Sequence, residues 1–391
     1  MSDSASPIII AHVADLHFGR RMARVTRAGD NVRELDIYKA GEVLSTWLAE
    51  TAPDLVCVVG DVFDTSQPTP LALRHGYDFH RRLQEADIPT VVVGGNHDTL
   101  SAPGRPTPLQ HLSRYFGCHV ALEQTDMEIA GVRLCCVPYR TLSLGEYREP
   151  EYSDQVPNLL LVHATVDGDG LPEFAQYDHT RLPRSELFDP RSSLRMLGHI
   201  HIHGSVGENA YYSGAPERLT WGEITNTPAV YLHKLYPDGR VETESHTIES
   251  MSKDNDVPRP AQVLTIDCAE MEAAVVLERA QTLIEETSMD GALVHLTMKN
   301  APAELFGLHY EEALGKRAGQ MGALAFKPKV LVRELEELAT AATAELDDVH
   351  VPGAALSESY RAFAKDQGEE DLIQLGCQLI AQAGGEVEAD A

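Results

Sequence analysis

Residue types that can bind metals or transfer protons stand at the ends of five apolar stretches of this chain. Each follows a β-rich run such as "PIIIAHVAD" or "DLVCVVGD". Because functional side chains in α/β proteins gather beyond the carboxyl ends of strands, we expect these residues to converge although they are far apart in sequence. The candidates are Asp15, His17, Asp61, Asn96, His97, Asp98, His163, His199 and His201.

This set of donors favours a catalytic metal centre. Mixed imidazole, carboxylate and amide ligands suit borderline divalent metals such as manganese, iron or zinc. Cysteine occupies none of these positions, which argues against a structural zinc site. The ligands are too many for a single ion. Two ions about 3.5 to 4 Å apart, bridged by one carboxylate, would use them and leave room for water and a phosphoester.

The stretch "LGHIHIHG" at 197–204 places three histidines at alternate positions. A period of two predicts the end of a strand, with His199, His201 and His203 on one face. Alternation alone makes them equivalent. Each is either a metal ligand or part of a solvated polar strand face.

The elements that must position these residues follow a pattern of alternating strands and helices. The first half reads βαβαβ, and shorter strands separated by turns follow from about residue 118, which predicts a sandwich of two sheets with helices outside. The turn in "YPDGR" predicts a hairpin that closes this domain. We expect residues 1–250 to form it, with a polar linker at 251–260.

Two further regions follow the linker. A strand, helix and strand at 261–330 predict a small α/β domain, and residues 331–391 predict a helical region with a disordered tail. Within that region, "EEDLIQLGCQLIAQA" at 369–383 has one apolar helical face. This face either packs on its own domain or binds a partner.

Composition restricts the cellular setting. The chain lacks a long apolar span and a signal-peptide pattern, so we expect a cytoplasmic protein without a membrane segment. Six scattered cysteines lack zinc-type spacing and predict reduced thiols in the core. The net charge of −28 argues against a nucleic-acid partner. However, the acidic excess is concentrated in the C-terminal third. A local cluster, either a phosphate-binding patch or a solvated loop, contains Arg20, Arg21, Arg24, Arg27 and Arg33.

Five motifs in order, "DLH", "GDVFD", "GNHD", an isolated histidine after an apolar strand, and "GHIH", resemble the calcineurin-like metallophosphoesterases. Within this superfamily the flanks "ADLHFGR", "GDVFDTSQP" and "YYSGAPERLTWGE" are most similar to the SbcD-type nuclease subunits of double-strand-break repair. The motifs extend from residue 8 to about 224. The unit at 261–299 resembles the family's DNA-capping domain only in size and order.

The resemblance implies a role for each matched residue. Asp15, His17, Asp61 and His201 would hold one manganese ion, with Asp61 bridging, and Asn96, His163 and His199 would complete the second. His97 would face the scissile phosphate and protonate or stabilise the leaving oxygen, with Asp98 orienting its ring. Asp64 follows the SbcD pattern, whereas archaeal and eukaryotic relatives tend to have histidine there. The resemblance also makes DNA-backbone contacts by Arg20, Arg21, Arg24 and Arg27 more plausible.

The function implied by the resemblance is a manganese-dependent nuclease acting at DNA double-strand ends, with 3′–5′ exonuclease and single-strand endonuclease activity. It would work with an SbcC-type coiled-coil ATPase, for which the helix at 369–383 is the candidate contact. Helices at 70–86 and 107–115 would form a homodimer interface. Two alternatives remain, a dimetal phosphodiesterase or phosphatase acting on a small molecule or protein, and a non-catalytic scaffold.

Overall fold

The computed structural model describes residues 6–23, 25–27, 30–98, 106–166, 180–253, 257–307 and 309–332. Its strands are β1 (Ile8–Val13), β2 (Thr26–Arg27), β3 (Asp30–Asn31), β4 (Leu55–Val59), β5 (Thr90–Val93), β6 (His119–Ala121), β7 (Thr125–Ile129), β8 (Val132–Val137), β9 (Asn158–His163), β10 (Thr165–Val166), β11 (Arg181–Leu182), β12 (Ser192–Gly198), β13 (Gly204–Gly207), β14 (Ala210–Tyr212), β15 (Ala229–Leu235), β16 (Val241–Thr247), β17 (Ala261–Asp267), β18 (Leu293–Ala301) and β19 (Ala325–Val332).

The helices separate and cover these strands. They are α1 (Val32–Thr51), α2 (Pro70–Glu85), α3 (Leu109–Phe116), α4 (Tyr139–Ser143), α5 (Arg184–Leu187), α6 (Ile248–Met251), α7 (Ala273–Glu286) and α8 (Glu311–Gln320). Local chemistry sets their starts, as in α2, where the Thr69 side chain accepts from the Ala72 amide and Pro70 occupies the first turn. Among the residues described, no helix is both long and apolar enough to cross a bilayer.

Two six-stranded mixed sheets form the main body. The first has the order β16-β15-β1-β4-β5-β6 and the second β13-β14-β12-β9-β8-β7. In the first, β1, β4, β5 and β6 run parallel. In the second, β14, β12, β9 and β8 run parallel. Each sheet therefore brings the carboxyl ends of its central strands to one edge.

The sheets pack on one another through a continuous apolar layer. Side chains from the two inner faces meet there, among them Leu55, Val59, Val91, Leu159 and Met196, all completely buried. A second layer lies between the outer face of the first sheet and helices α1, α2 and α3. The predicted sandwich of two sheets flanked by helices is confirmed, because strands buried on both faces need apolar cover on each side.

A smaller unit follows the sandwich. Strands β17, β18 and β19 form a parallel three-stranded sheet, and α7 and α8 pack on it around a separate core that includes Val276, Ile284, Leu296 and Leu314. The predicted strand, helix and strand occur in this order. Residues 333–391 lie outside the described part, including the helix predicted at 369–383. The division of the chain into three domains stays a prediction.

The smaller predictions can be compared with particular elements. Strands β15 and β16 form the expected hairpin, closed by a hydrogen bond from the Tyr236 amide to the Arg240 carbonyl. The linker at 251–260 is partly built into the main core, since Val257 is buried there. The five cysteines in the described residues are unpaired and buried, as expected.

Candidate metal centre

The predicted ligands lie at one end of the sandwich, beyond five strand ends. Strands β1, β4 and β5 of the first sheet lead into Asp15, Asp61 and Asn96, and strands β9 and β12 of the second sheet lead into His163 and His199. Since the two sheets are packed together, these strand ends meet over a short distance. The structure thus places these five residues where the strands end.

Four of these residues have an unusual backbone conformation. The φ angles of Asp15, His17, Asp61 and His199 are 53°, 43°, 50° and 95°, in the left-handed region that non-glycine residues rarely adopt. Such strain persists only where surrounding contacts impose it, and it is concentrated at functional sites. These turns direct the side chains from the strand ends towards one another.

The alternation expected for His199, His201 and His203 is wrong. Strand β12 ends at Gly198, and the three histidines lie in irregular chain after it. The amide of His199 donates instead to Asp15 Oδ1 at 3.0 Å, a bond between the two sheets. Contact with the other sheet, which a local pattern does not contain, therefore ends the strand.

Two glycines permit the close approach of the ligands. A Cβ atom at Gly60, where φ is +87°, would stand 1.8 Å from His163 Nδ1. A Cβ atom at Gly95 would stand 2.0 Å from Asp61 Oδ1. The glycines of "VVGD" and "VGGN" therefore make room for the ligand-bearing side chains.

One half of the site groups Asp15, His17, Asp61 and His201. The ligand atoms of Asp15, His17 and His201 lie within 4.8 Å of one another. Asp61 Oδ2 lies 3.4 Å from His17 Nε2, and Asp15 is completely buried. Two buried carboxylates facing imidazoles supply the oxygen and nitrogen donors that a borderline metal prefers.

The other half groups Asn96, His163 and His199. Asn96 Oδ1 lies 3.2 Å from His163 Nε2 and 3.0 Å from His199 Nδ1. Asp61 Oδ2 also lies 3.3 Å from His163 Nε2. Asp61 thus contacts imidazoles of both halves, which is where a bridging carboxylate must be. All seven predicted ligands are brought together.

The hydrogen bonds of three histidines leave one ring nitrogen of each available to a metal ion. His17, His163 and His201 each donate from Nδ1 to an oxygen, of Asp64 at 3.0 Å, the Val59 carbonyl at 2.8 Å and Glu223 at 2.9 Å. A carbonyl or carboxylate only accepts, so in the neutral form of each ring the lone pair is on Nε2. His17 Nε2 is buried and makes no hydrogen bond. A metal ion would satisfy it.

Electrostatics couple the two halves. Burial alone raises the pKa of Asp61, but His163 and His17 outweigh burial and hold that pKa well below its usual range. Burial lowers the pKa of His163, yet Asp61 and Asp15 raise it to about 9. For His201, Glu223 and Asp15 likewise overcome burial and raise the pKa. In His17 burial prevails and lowers the pKa.

His97 lies at this site, but Asp98 does not orient it. The His97 ring is 4.8 Å from that of His17, and its Nδ1 donates to the Asp64 carbonyl at 2.9 Å. Asp98 instead accepts from the amides of Val62 at 3.1 Å and Phe63 at 2.7 Å. The sequence expectation for Asp98 is therefore wrong, because adjacency in sequence did not reveal that its carboxylate holds the loop after Asp61.

The structure describes only part of the arginine cluster. Arg20 lies 3.5 Å from Asp64 Oδ1, with about a third of its side chain exposed, and Arg21 donates to Glu34 at 2.7 Å. Arg24 and the side chain of Arg27 lie outside the described residues. Among the described members of the cluster, Arg20 lies beside Asp64, the carboxylate that also accepts from the proposed ligand His17.

Sequence reasoning did not assign two carboxylates that position ligands. In the sequence, Asp64 stands out only as a departure from a histidine pattern, and Glu223 only as part of "TWGE". The structure places their oxygens on His17 and His201. A sequence signal existed for both, since each lies in a segment that resembled the family. Their partners, however, are distant in sequence.

The fold and the paired ligand groups define a class, an α/β phosphoesterase hydrolase whose His and Asp clusters are consistent with the two-metal site typical of that class. The chain matches the family model for calcineurin-like phosphoesterases over residues 8–203. It therefore belongs to the calcineurin-like phosphoesterase family.

Among curated proteins, the chain is similar to two archaeal proteins named DNA double-strand break repair protein Mre11. With the Methanocaldococcus jannaschii protein it shares 27% identity over 50% of this chain and 51% of that protein. With the Saccharolobus solfataricus protein it shares 24% identity over 72% of each chain. The chain thus spans about half of the first relative. A solved dimetal phosphatase from Danio rerio is 12% identical, covering 62% of this chain and 97% of its own, with a TM-score of 0.37.

Proposed function

We propose that this protein is a metal-dependent DNA nuclease of the SbcD type that hydrolyses phosphodiester bonds at DNA double-strand ends. The proposed activities are 3′–5′ exonuclease and single-strand endonuclease. The observation that carries the proposal is the joining of two ligand groups through Asp61, with His97 beside them. Similarity to two Mre11 proteins supports DNA as the substrate.

The proposed ligands are the seven residues that the structure brings together. Asp15, His17 and His201 would hold one ion, Asn96, His163 and His199 the other, and Asp61 both. When bound, two divalent ions, proposed to be manganese, lower the pKa of water and neutralise charge on the phosphate. Asp64, Glu223 and the Val59 carbonyl would fix the rings so that each presents Nε2.

His97 is the proposed acid for the leaving oxygen. Its Nδ1 proton is held by the Asp64 carbonyl, so Nε2 is the atom that can present a proton to a substrate. The Asp61 side chain accepts from the His97 amide at 2.9 Å, which ties the position of this ring to the bridging carboxylate. Asp98 would act on the backbone of the loop and not on the ring.

The proposed partners are DNA, an SbcC-type ATPase and a second copy of the chain. Arg20 stands at the edge of the site with part of its side chain free to meet a DNA phosphate. Helices α2 and α3 carry an aromatic surface in which Tyr77 contacts His111 and Tyr115 is 60% exposed. This surface supports α2 and α3 as the homodimer contact. The helix proposed for the ATPase lies outside the described residues.

The decisive experiment compares substrates at equal enzyme concentration with manganese. We expect labelled linear duplex DNA to be degraded faster than a cyclic nucleotide or a phosphopeptide, with and without the ATPase. The Asp61→Asn variant is the matched control, because it removes one charge from the bridging position. Faster turnover of the small substrates would instead support the dimetal phosphodiesterase, which the net charge of −28 favours. Failure to bind manganese would support a non-catalytic scaffold.

A further inference from the structure

A second buried polar cluster lies away from the proposed ligands. It joins α1 to the segment before β15 and to the chain that enters the small unit, and it consists of Arg33, Asp36, Glu217 and Arg259. Arg33 is completely buried, and Asp36 and Glu217 are 5% and 1% exposed. Arg33 donates to Asp36 at 2.6 Å and lies 3.2 Å from Glu217. Removing either partner of such a pair destabilises the fold, because it leaves a buried charge without compensation.

Arg259 connects this cluster to the small unit. Its Nε donates to Asp36 Oδ2 at 3.0 Å, and its amide donates to Glu217 Oε2 at 2.8 Å. Strand β17 of the small unit begins two residues later, at Ala261. The position of this strand start is therefore tied to that of Glu217.

Residues 217–223 form a segment that begins at Glu217 and ends at Glu223, which holds the proposed ligand His201. Glu223 Oε1 accepts from His201 Nδ1 at 2.9 Å, while Oε2 accepts from the Leu219 amide at 2.7 Å. The hydroxyl of Thr220 also donates to Oε1 at 2.9 Å. Because Glu223 is bonded back to its own segment, its carboxylate moves with residues 217–223.

Further contacts hold the segment from both sides. On the α1 side, Arg33 donates to the Arg218 carbonyl at 2.7 Å. On the side of the small unit, Arg218 donates to the Arg259 carbonyl at 3.0 Å, and the Trp221 ring lies 6.2 Å from His295 of β18. The segment thus contacts both helix α1 of the sandwich and the small unit.

We propose that Arg259 is a positioning residue for His201 and that segment 217–223 links the seating of the small unit to the metal centre. The Arg259 side chain fixes the backbone at this position to Asp36. Without it, the Arg259 amide would hold Glu217 less firmly, and Glu223 would then hold the His201 ring less firmly. Partners of metal ligands set metal affinity through ring orientation. This inference rests on the proposed metal site, since His201 is one of its ligands.

The experiment measures Mn²⁺ affinity by calorimetry on the full chain, with no substrate present. We expect Arg259→Ala to weaken Mn²⁺ binding by about 2- to 30-fold, the usual range for coupling through intermediate residues. Arg317→Ala is the matched control, because it removes an ion pair to Glu285 within the small unit. Hydrogen exchange at residues 217–223 should become faster in Arg259→Ala and remain unchanged in the control.

A double variant separates this route from a general loss of stability. In a Glu223→Gln background, where the carboxylate that holds His201 is lost, Arg259→Ala should weaken Mn²⁺ binding no further. Additive effects, or wild-type affinity in folded Arg259→Ala, would overturn the inference. If Arg259→Ala does not fold, Arg259→Lys is judged by the same two measurements. A wild-type protein that binds no Mn²⁺ would refute the metal site itself, and is thus distinguished from failure of the coupling alone.

Discussion

Two groups of histidines lie near one another in this protein and differ in the charges that face their rings. The ligand group contains His17, His163 and His201. The aromatic group, His12, His203 and His233, packs with Tyr211 and Tyr231, and the His203 and Tyr231 rings stack at 4.0 Å.

The contrast in pKa is clearest between His233 and His163. Burial lowers the pKa of His233 to about 3, and burial also carries the pKa of His12 well below its usual value. The pKa of His163 is raised to about 9 although this ring is equally buried. The difference comes from Asp61 and Asp15, which face His163. Burial makes a histidine neutral, whereas adjacent carboxylates make it suitable for exchanging a proton for a metal ion.

His201 and His203 belong to different groups although they are close in sequence. They are two residues apart, but His201 Nδ1 donates to Glu223, which leaves Nε2 for a metal. Both ring nitrogens of His203 are engaged, by the Ser213 carbonyl and the Ser245 hydroxyl, each at 2.8 Å. The motif "GHIH" does not include His203, and this geometry leaves neither of its ring nitrogens free for a metal.

The largest expected effect separates His97, the proposed acid, from a histidine of the aromatic group. His97→Ala should lower kcat with manganese by about 10²- to 10⁴-fold, the usual contribution of a positioned acid or base. Metal content, measured by mass spectrometry, should be unchanged. His203→Ala is the control and should retain wild-type kcat. Equal loss in both variants would show that the effect is structural.

The next effect concerns acid stability. Since the folded pKa of His233 lies below the unfolded value of 6.5, its stabilisation is complete above pH 6.5 and is lost as the pH falls towards 3. His233→Phe should therefore reduce the pH dependence of the unfolding free energy by about 1.4 kcal/mol per pH unit in that window. Urea titrations at several pH values measure it. His119→Phe, at an exposed strand position, should leave the slope unchanged; an unaltered slope in His233→Phe would contradict the assignment.

A smaller effect tests the carboxylates that face the ligand group. Asp64→Ala removes the carboxylate that accepts from His17 Nδ1 and should weaken manganese binding by about 10- to 100-fold. The backbone carbonyl that holds His97 is retained. Asp78→Ala, which removes an exposed ion pair to Arg81, is the control for calorimetry. Unchanged affinity in Asp64→Ala would mean that His17 needs no such partner.

The smallest effect is the pH dependence of metal binding. With its pKa at about 9, His163 carries a proton at pH 7 that a metal ion must displace. Manganese affinity should therefore rise about tenfold between pH 7 and pH 8. Calorimetry in buffers of different ionisation enthalpy should detect the released proton. His163→Gln should lack this slope, and a flat profile in the wild type would contradict the raised pKa.

Much of the fold and the site could be predicted from local sequence. Alternating apolar strands and helical patterns indicated the two-sheet sandwich, and polar residues after each strand indicated where the site must be. The candidate ligands from Asp15 to His201 could be predicted because strand ends converge in such folds, whatever the length of chain between them. The predictions that failed, for Asp98 and for the strand through His199, each assumed that a neighbour in sequence is a neighbour in space.

The sequence by itself determined which residue types stand at the strand ends and which stretches are buried, because these depend on composition and periodicity. Only the tertiary structure decided which ring nitrogen is free, which carboxylate holds which histidine, and that Asp64 and Glu223 belong to the site. Those properties depend on hydrogen bonds such as that from His163 to the Val59 carbonyl, 104 residues apart. Contacts across such distances form only when the sheets pack, so no local pattern encodes them.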